Sequence, residues 1–496
     1  MPAARARRAS SGDRGPAVVT RPPAVVIAAP SSGSGKTTIS TGLIGALRAA
    51  GHRVAPFKVG PDYIDPGYHA VAAGGVGRNL DPNLVGADLV GPLFAAGTAG
   101  ADIAVVEGVM GLFDGRILDD SASDSADPTG FGSTAHVARL IGAPVILVVD
   151  AAGHSQSVAA LLHGFIGYDP SIRIAGVILN RVGSPRHETV LRQACGRVGL
   201  PVFGVVRRDP DLQVPSRHLG LIPAAERRDD AVRAVDAMTM TIGAALDLDA
   251  IVAAARTRRA EPVAAWSPAG ALDDDPTIVP GARRPVIAVA GGAAFTFGYA
   301  EHRELLEAAG AEVVGFDPLY DRLPSDVDGI VIGGGFPEEH AEALAANDEL
   351  RDGVRRHARE GRPIVAECAG LLYLARELDG HRMTGVIDAV GRFGPTLTLG
   401  YRDAVAVGDS VTFTAGQRVT GHEFHRSTVA PGDAAPAPAW AWRDHGGRPG
   451  SHGHASSSVH ASYLHVHPAG APGSVARFVR AALAARTAGG VGEPSR

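Results

Sequence analysis

Cysteine is nearly absent from this chain. Cys195 and Cys368 are the only two in 496 residues, too few for a disulfide framework, and a reducing, cytoplasmic setting fits that scarcity. Long apolar runs are missing as well: none reaches the roughly 18 residues that a membrane-spanning helix needs, so no membrane partner is expected. Nor does one sign of charge dominate. The 47 Lys and Arg residues against 52 Asp and Glu leave a net charge of −5, which gives the whole chain no pull towards nucleic acid. The first 22 residues carry Arg5, Arg7, Arg8, Arg14 and Arg21 but no apolar segment. That excludes a secretory signal and reads as a solvated, disordered arm.

What is present is an alternating α/β pattern. Glycine (64) and proline (35) are abundant, but apolar strands recur between them, so the composition is not that of a disordered protein. The length calls for at least two domains. The most informative stretch runs from Ala24 to Thr38: a buried strand, a small-residue loop and a helix beginning near Lys36. Gly33 and Gly35 let the loop turn its N–H groups, that of Ser34 among them, around an anion. Lys36 is placed to reach the β- and γ-phosphates of ATP, the Thr37 hydroxyl to ligate Mg²⁺, and Thr38 to bind the nucleotide from the first helical turn, whose dipole favours the anion. One departure from the P-loop pattern is Pro30, which stands where glycine is usual.

Further strands are expected at Arg53–Val59, Ile103–Val106, Val145–Val149, Ile174–Leu179 and Val202–Val206, with helical segments between most of them. That alternation argues for a doubly wound, mainly parallel sheet, whose ligands gather at the carboxyl ends of the strands. Asp62 and Glu107 both follow strands there and, with Thr37, form the expected Mg²⁺ set. Asn180, at another strand end, is a candidate reader of the nucleobase edge. Helical spacing through Val232, Val235, Met238, Ile242, Leu246 and Ile251 closes the first domain, and residues 259–283, without any period, read as a linker.

The α/β pattern restarts at Pro285–Ala290. Gly329 to Glu338 is a strand entering a glycine-rich turn, and Pro363 to Leu372 is a strand, a sharp turn holding Cys368, and a helix. A thiol at the head of a helix is favoured as thiolate. The N–H of Ala369, with Gly334 or Gly335 as second donor, would face a developing oxyanion. His465, near the end of a strand, is the candidate base. Residues 431–458, rich in Pro, Ala, Gly, Ser and His, read as a flexible excursion whose histidine spacing fits no closed metal site.

Several long stretches carry a resemblance. Lys58–Asp65, Asn79–Asp81, Val105–Gly115, Gly176–His187 and Arg217–Gly220 resemble the ATP-dependent, dethiobiotin-synthetase-like domain of cobyrinate and hydrogenobyrinate a,c-diamide synthases. Gly333–Glu338, Ala366–Leu374, Leu399–Arg402, Gly421–His425 and Ser462–His467 resemble the class I, flavodoxin-like glutamine amidotransferase domain fused to them. The resemblance implies that Cys368 is the nucleophile and His465 its base. It implies that the Asp62–Asp65 stretch and the Glu107/Asp114 pair bind Mg-ATP and a tetrapyrrole, with Tyr63, Ile64, Asp65 and Asp114 as macrocycle contacts. His467 stands where the broader class has an orienting Glu, which leaves open whether another acid serves His465.

The expected organisation is then an arm (1–22), an ATP-binding amidoligase domain (23–258), a linker (259–283), an amidotransferase domain (284–485) and a tail (486–496). The implied activity is ATP- and glutamine-dependent amidation of the a and c acetates of a corrin-ring polycarboxylate in cobalamin biosynthesis. Its ligands are the tetrapyrrole, L-glutamine and ATP with Mg²⁺; a homodimer is left open. Other readings stand beside it: a partition-type nucleotide switch for the first half, a non-catalytic module for the second, or nickel-sirohydrochlorin as substrate.

Overall fold

In the computed structural model, described residues are 22–116, 130–208, 228–272, 284–433, 437–444 and 446–489, with 216–217, 220–221, 223–224 and 226. The expected arm, the later half of the linker and the end of the tail lie outside them.

Seven parallel strands form the first sheet: β1 (Ala24–Ala28), β2 (Val54–Val59), β3 (Arg78–Leu80), β4 (Ile103–Glu107), β5 (Val145–Asp150), β6 (Ile174–Val182) and β7 (Val202–Arg207). Their spatial order is β3-β2-β4-β1-β5-β6-β7. β1 is fully buried along its length, as a central strand covered on both faces must be. Helix α1 (Lys36–Ala49) leaves its carboxyl end, and α2 (Asp65–Ala73) that of β2. Helix α3 (Arg228–Ala245) packs on α1. On α3 the helical spacing holds for Val235, Met238 and Ile242, which are buried. Val232 is exposed, on the solvent side of the stripe.

The second domain restarts with β8 (Val286–Ala290), β9 (Glu312–Phe316), β10 (Gly329–Ile332) and β11 (Ile364–Glu367). A long hairpin, β12 (Ala389–Ala406) and β13 (Arg418–Pro431), intervenes with β14 (Trp440–Arg443), β15 (Pro449–His452) and β16 (His454–Ala455) before β17 (Val459–Ser462). The core sheet runs β9-β8-β10-β11-β17-β16, parallel except for the last pair. Its first five strands have the 2-1-3-4-5 order of flavodoxin-like folds. Both domains are therefore doubly wound α/β units, as the alternation of elements requires.

Two expectations change here. Residues 431–458 hold strands β14 to β16: Trp440, fully buried, anchors them, and its indole N–H donates to Ser462 Oγ. Residues 259–272 run largely exposed but are tied down at several points. Arg259 N donates to Gly142 O and Trp266 N to Pro92 O, while Leu272 is buried in the second domain. The chain between the domains is thus pinned at its first half.

The domains share a polar and aromatic interface. Tyr401 Oη donates to Asp81 Oδ2 at 2.8 Å, Arg78 binds Glu301 at 2.7 Å and also Glu304, and Tyr63 Oη bonds Tyr299 Oη at 2.8 Å.

Candidate active site

The nucleotide end is built on the turn after β1. Gly33 (φ 78°) and Gly35 (φ 93°) take left-handed conformations; at Gly35 a Cβ would also lie 2.3 Å from Asn180 Nδ2. Lys36, buried at the start of α1, donates to Met110 O at 2.6 Å and to Ser31 O at 3.3 Å. Burial, with Lys58 nearby, lowers its pKa, a disfavoured charge that an anionic triphosphate would compensate. Thr38 follows in the same turn, half-buried.

Thr37 Oγ1 donates to Glu107 Oε1 at 2.7 Å and to Asp65 Oδ2 at 3.2 Å. Here the structure departs from expectation. Asp65, not Asp62, is the second carboxylate on Thr37. Asp62 turns its Oδ1 onto the N–H groups of Ile64 and Asp65, closing the turn that leads into α2. Lys58 Nζ lies 3.5 Å from Asp65 and 3.7 Å from Glu107, and His69 Nε2 lies 2.7 Å from Glu107 Oε2. Burial opposes ionisation of Glu107, but Lys58, His69 and Thr37 outweigh it and bring its pKa to about 2. Burial and the charges of Asp62 and Glu107 push Asp65 well above the usual carboxylate range. Among the described residues no three His, Cys, Asp or Glu side chains converge to hold an ion unaided. The cluster's hard oxygens fit a small divalent cation that brings phosphate oxygens as its other ligands.

Other expected residues are placed differently. Asn180 donates through Nδ2 to Ser34 O at 2.9 Å and accepts Arg181 N at Oδ1, so its carboxamide braces the P-loop at the carboxyl end of β6. Asp114 is exposed, its Oδ2 accepting Gly111 N. Ile64 packs against the first domain's core. Tyr63, Ile64 and Asp65 therefore point into the interface, the core and the P-loop respectively.

At the second centre Cys368 caps β11 with φ 50°, a strained backbone that lifts a thiol out of the strand-to-helix turn. Ala369 opens the following helix, α4 (Ala369–Leu374). Gly370 N donates to Gly333 O at 3.1 Å, which ties the glycine turn to the nucleophile's helix. Gly334 O accepts Phe297 N, and a Cβ on Gly334 would lie 2.6 Å from His465 Cε1. Gly335 packs as closely on Ala294 O.

His465 is buried and pairs its backbone with His422 in both directions at 2.9 Å. That pairing brings β13 across the site, where Phe424 O lies 3.9 Å from Cys368 Sγ. Glu367, the residue before the nucleophile, places Oε2 3.4 Å from His465 Nδ1, an ion-pair distance. Burial works against charge on His465, but Cys368 and Glu367 outweigh it and raise its pKa to about 10. His467, in the place of the usual acid, faces Tyr299 at 4.2 Å between ring centroids and Glu301 at 3.9 Å instead. Local sequence does not single out Glu367 or Lys58, although each adjoins or ends a strand beside a motif residue.

Two family models match. A CobQ/CobB/MinD/ParA nucleotide binding domain covers residues 25–222, and a CobB/CobQ-like glutamine amidotransferase domain covers 286–472. The chain is 58% identical over 457 residues to a hydrogenobyrinate a,c-diamide synthase of Mycobacterium bovis, an alignment spanning 92% of this chain and 97% of that protein. It belongs to the a,c-diamide synthase family. A Streptomyces coelicolor protein named hydrogenobyrinate a,c-diamide synthase is 55% identical across 95% of this chain and 99% of its own. A Gloeobacter violaceus protein named cobyrinate a,c-diamide synthase is 41% identical across 93% and 97%. Alignments across both halves do not favour the readings as a nucleotide switch or a non-catalytic module. No helix among the described residues is long and apolar enough to cross a membrane.

Proposed function

We propose that this chain amidates the a and c acetate carboxylates of hydrogenobyrinate, activating each with ATP and taking nitrogen from glutamine. The observation that carries it is the pairing, in one fold, of a Lys36–Thr37–Glu107 phosphate site with a Cys368–His465 thiol centre. The higher identity to relatives named for hydrogenobyrinate, 58% against 41% for one named for cobyrinate, supports the metal-free macrocycle. We place the reaction in the cytoplasm, with no nucleic-acid partner.

A carboxylate resists amines because its charge repels them and oxide does not leave. In the proposed scheme the substrate carboxylate takes the γ-phosphoryl of ATP, giving an acyl phosphate and ADP. Lys36 and the turn N–H groups hold the transferred charge. Thr37, Asp65 and Glu107 would hold Mg²⁺, which supplies charge neutralisation on the phosphates when bound. At the thiol centre Cys368 gives its proton to His465 and attacks the glutamine amide carbon. Ala369, Gly334 and Gly335 N–H groups face the oxyanion, and His465 returns the proton as ammonia leaves. Water then cleaves the thioester to glutamate and restores the thiol. Ammonia attacks the acyl phosphate carbon, the C–O bond to phosphate breaks, and the amide remains. Glu367 orients His465 from the nucleophile's own strand.

The test is incubation of the purified protein with Mg-ATP, glutamine and, separately, hydrogenobyrinate, cobyrinate or nickel-sirohydrochlorin. Each amidation, a hydroxyl replaced by an amino group, is followed by mass. The diamide of hydrogenobyrinate is the expected product; no change with that macrocycle rejects the substrate. Cys368→Ala is expected to lose amidation with glutamine and keep it with ammonium.

A further inference from the structure

Helix α2 carries Asp65 and His69 four residues apart, hence on one face, and both are directed at the phosphate site. Asp65 Oδ2 accepts the Thr37 hydroxyl. His69, fully buried, stands with Nε2 2.7 Å from Glu107 Oε2. Its Nδ1 is buried without a partner among the described residues. Whether the ring carries one proton or two, one therefore sits on Nε2 and faces the carboxylate. The two oxygens of Glu107 are thereby separated in role. Oε1 belongs to the loop: it accepts from Thr37 at 2.7 Å and has Lys58 Nζ at 3.7 Å. Oε2 is turned to α2 and is taken by His69.

We propose that His69 is a positioning residue that sets the ion selectivity of the phosphate site: by engaging Oε2 it leaves Glu107 a single oxygen for a cation. This rests on the reading above that Thr37, Asp65 and Glu107 hold the divalent ion. The two common hard cations differ in what they ask of a carboxylate. Calcium gathers about six to eight oxygens in a flexible shell and often takes both oxygens of one carboxylate. Magnesium is smaller, demands near-ideal octahedral geometry and is served by carboxylates through one oxygen each. A Glu107 with one free oxygen suits magnesium and denies calcium its wider shell. Burial makes the arrangement stiff, since the His69 side chain is 0% exposed and that of Glu107 1%. Released from His69, the carboxylate could turn about its last bond and offer both oxygens to the larger ion.

The experiment uses the full chain and its His69→Leu, His69→Asn and His69→Gln variants. Calorimetric titration with the β,γ-imido analogue of ATP, in Mg²⁺ and separately in Ca²⁺, gives a Kd for each ion, and their ratio is the selectivity. The parent is expected to bind the analogue at least about tenfold more tightly with Mg²⁺ than with Ca²⁺. His69→Leu removes the donor and should weaken binding with Mg²⁺ by about tenfold, with the Ca²⁺ value moving less than about threefold, so the ratio falls. His69→Asn, whose amide stops short of Oε2, should behave as the Leu variant. His69→Gln, whose amide nitrogen can stand where Nε2 does, should keep a ratio close to that of the parent. A packing defect weakens both ions alike and leaves the ratio unmoved, so an unchanged ratio in the Leu and Asn variants overturns the proposal. So does a parent with equal affinity in the two ions. Should the Leu variant fail to fold, the Asn variant decides. A parent that binds the analogue equally well without any divalent ion would instead overturn the metal assignment, and this proposal with it.

Discussion

Glu367 shows how much a single side chain decides at this site. It stands next to the nucleophile in sequence, yet its carboxylate reaches the base, 3.4 Å from His465 Nδ1. An acid there favours the tautomer whose Nε2 faces the thiol and stabilises the imidazolium that forms. Glu367→Gln should lower glutaminase kcat/KM by roughly 100-fold and shift the basic limb of its pH profile downward, since one of the groups raising His465 is removed. Steady-state glutamine hydrolysis across pH checks this; an unshifted profile would leave His465 without its orienting acid. The same residue-level logic explains Asp62 and Asp65. Both lie in one turn, and only the backbone path through Tyr63 and Ile64 settles which faces Thr37.

Among the elements, α1 is tightly constrained. It begins at Lys36 and must lie close to α3, and it does so through Gly42 and Gly45. A Cβ on Gly42 would sit 2.5 Å from Ile242 Cβ and 2.7 Å from Met238 O, and one on Gly45 2.0 Å from Thr239 Oγ1. Glycine inside a helix costs about 1 kcal/mol relative to alanine, a cost offset here by the close approach of two helices. Gly42→Val is therefore expected to destabilise the protein by about 1–3 kcal/mol through overpacking. It should also weaken ATP binding, because α1 carries Lys36 and Thr37. Thermal unfolding and nucleotide titration check both; an unchanged melting temperature would mean that α3 moves freely.

At the scale of the whole molecule, buried histidines set the acid limit. Burial is the first cause that lowers His357 to about 4 and His422, His460 and His467 to about 3. Unfolded, each titrates near 6.5. A depressed folded value means that the stability they allow is intact above about pH 6.5 and is lost as pH falls towards the folded values. Each contributes a loss of about 1.4 kcal/mol per pH unit in that window. His465, raised to about 10, has the opposite sign but gains only between about pH 10 and 6.5. Between about pH 6 and 5 the buried carboxyls of Asp65 and Asp81, raised in the folded state, take up protons there first and offset part of these losses, leaving a net fall. Urea midpoints should fall over that range, and a flat dependence would show that these rings take up protons without unfolding.

Both reaction centres are legible in the amino-acid chain itself, because each is a contiguous strand–turn–helix whose residue types name their chemistry. Gly33 to Thr37 and the Cys368 turn need only local backbone to be recognised, and the alternation of apolar strands with helices specifies two doubly wound domains. Other assignments depend on directions and partners that local sequence does not encode. That Asn180 braces Ser34 O is one such case, since its strand and the P-loop lie far apart in sequence. The acid that serves His465, the strands within residues 431–458 and the contact of Tyr63 with Tyr299 all arise from segments far apart in sequence. Packing alone brings them together, since only closure of the interface determines which buried polar and aromatic groups must satisfy one another.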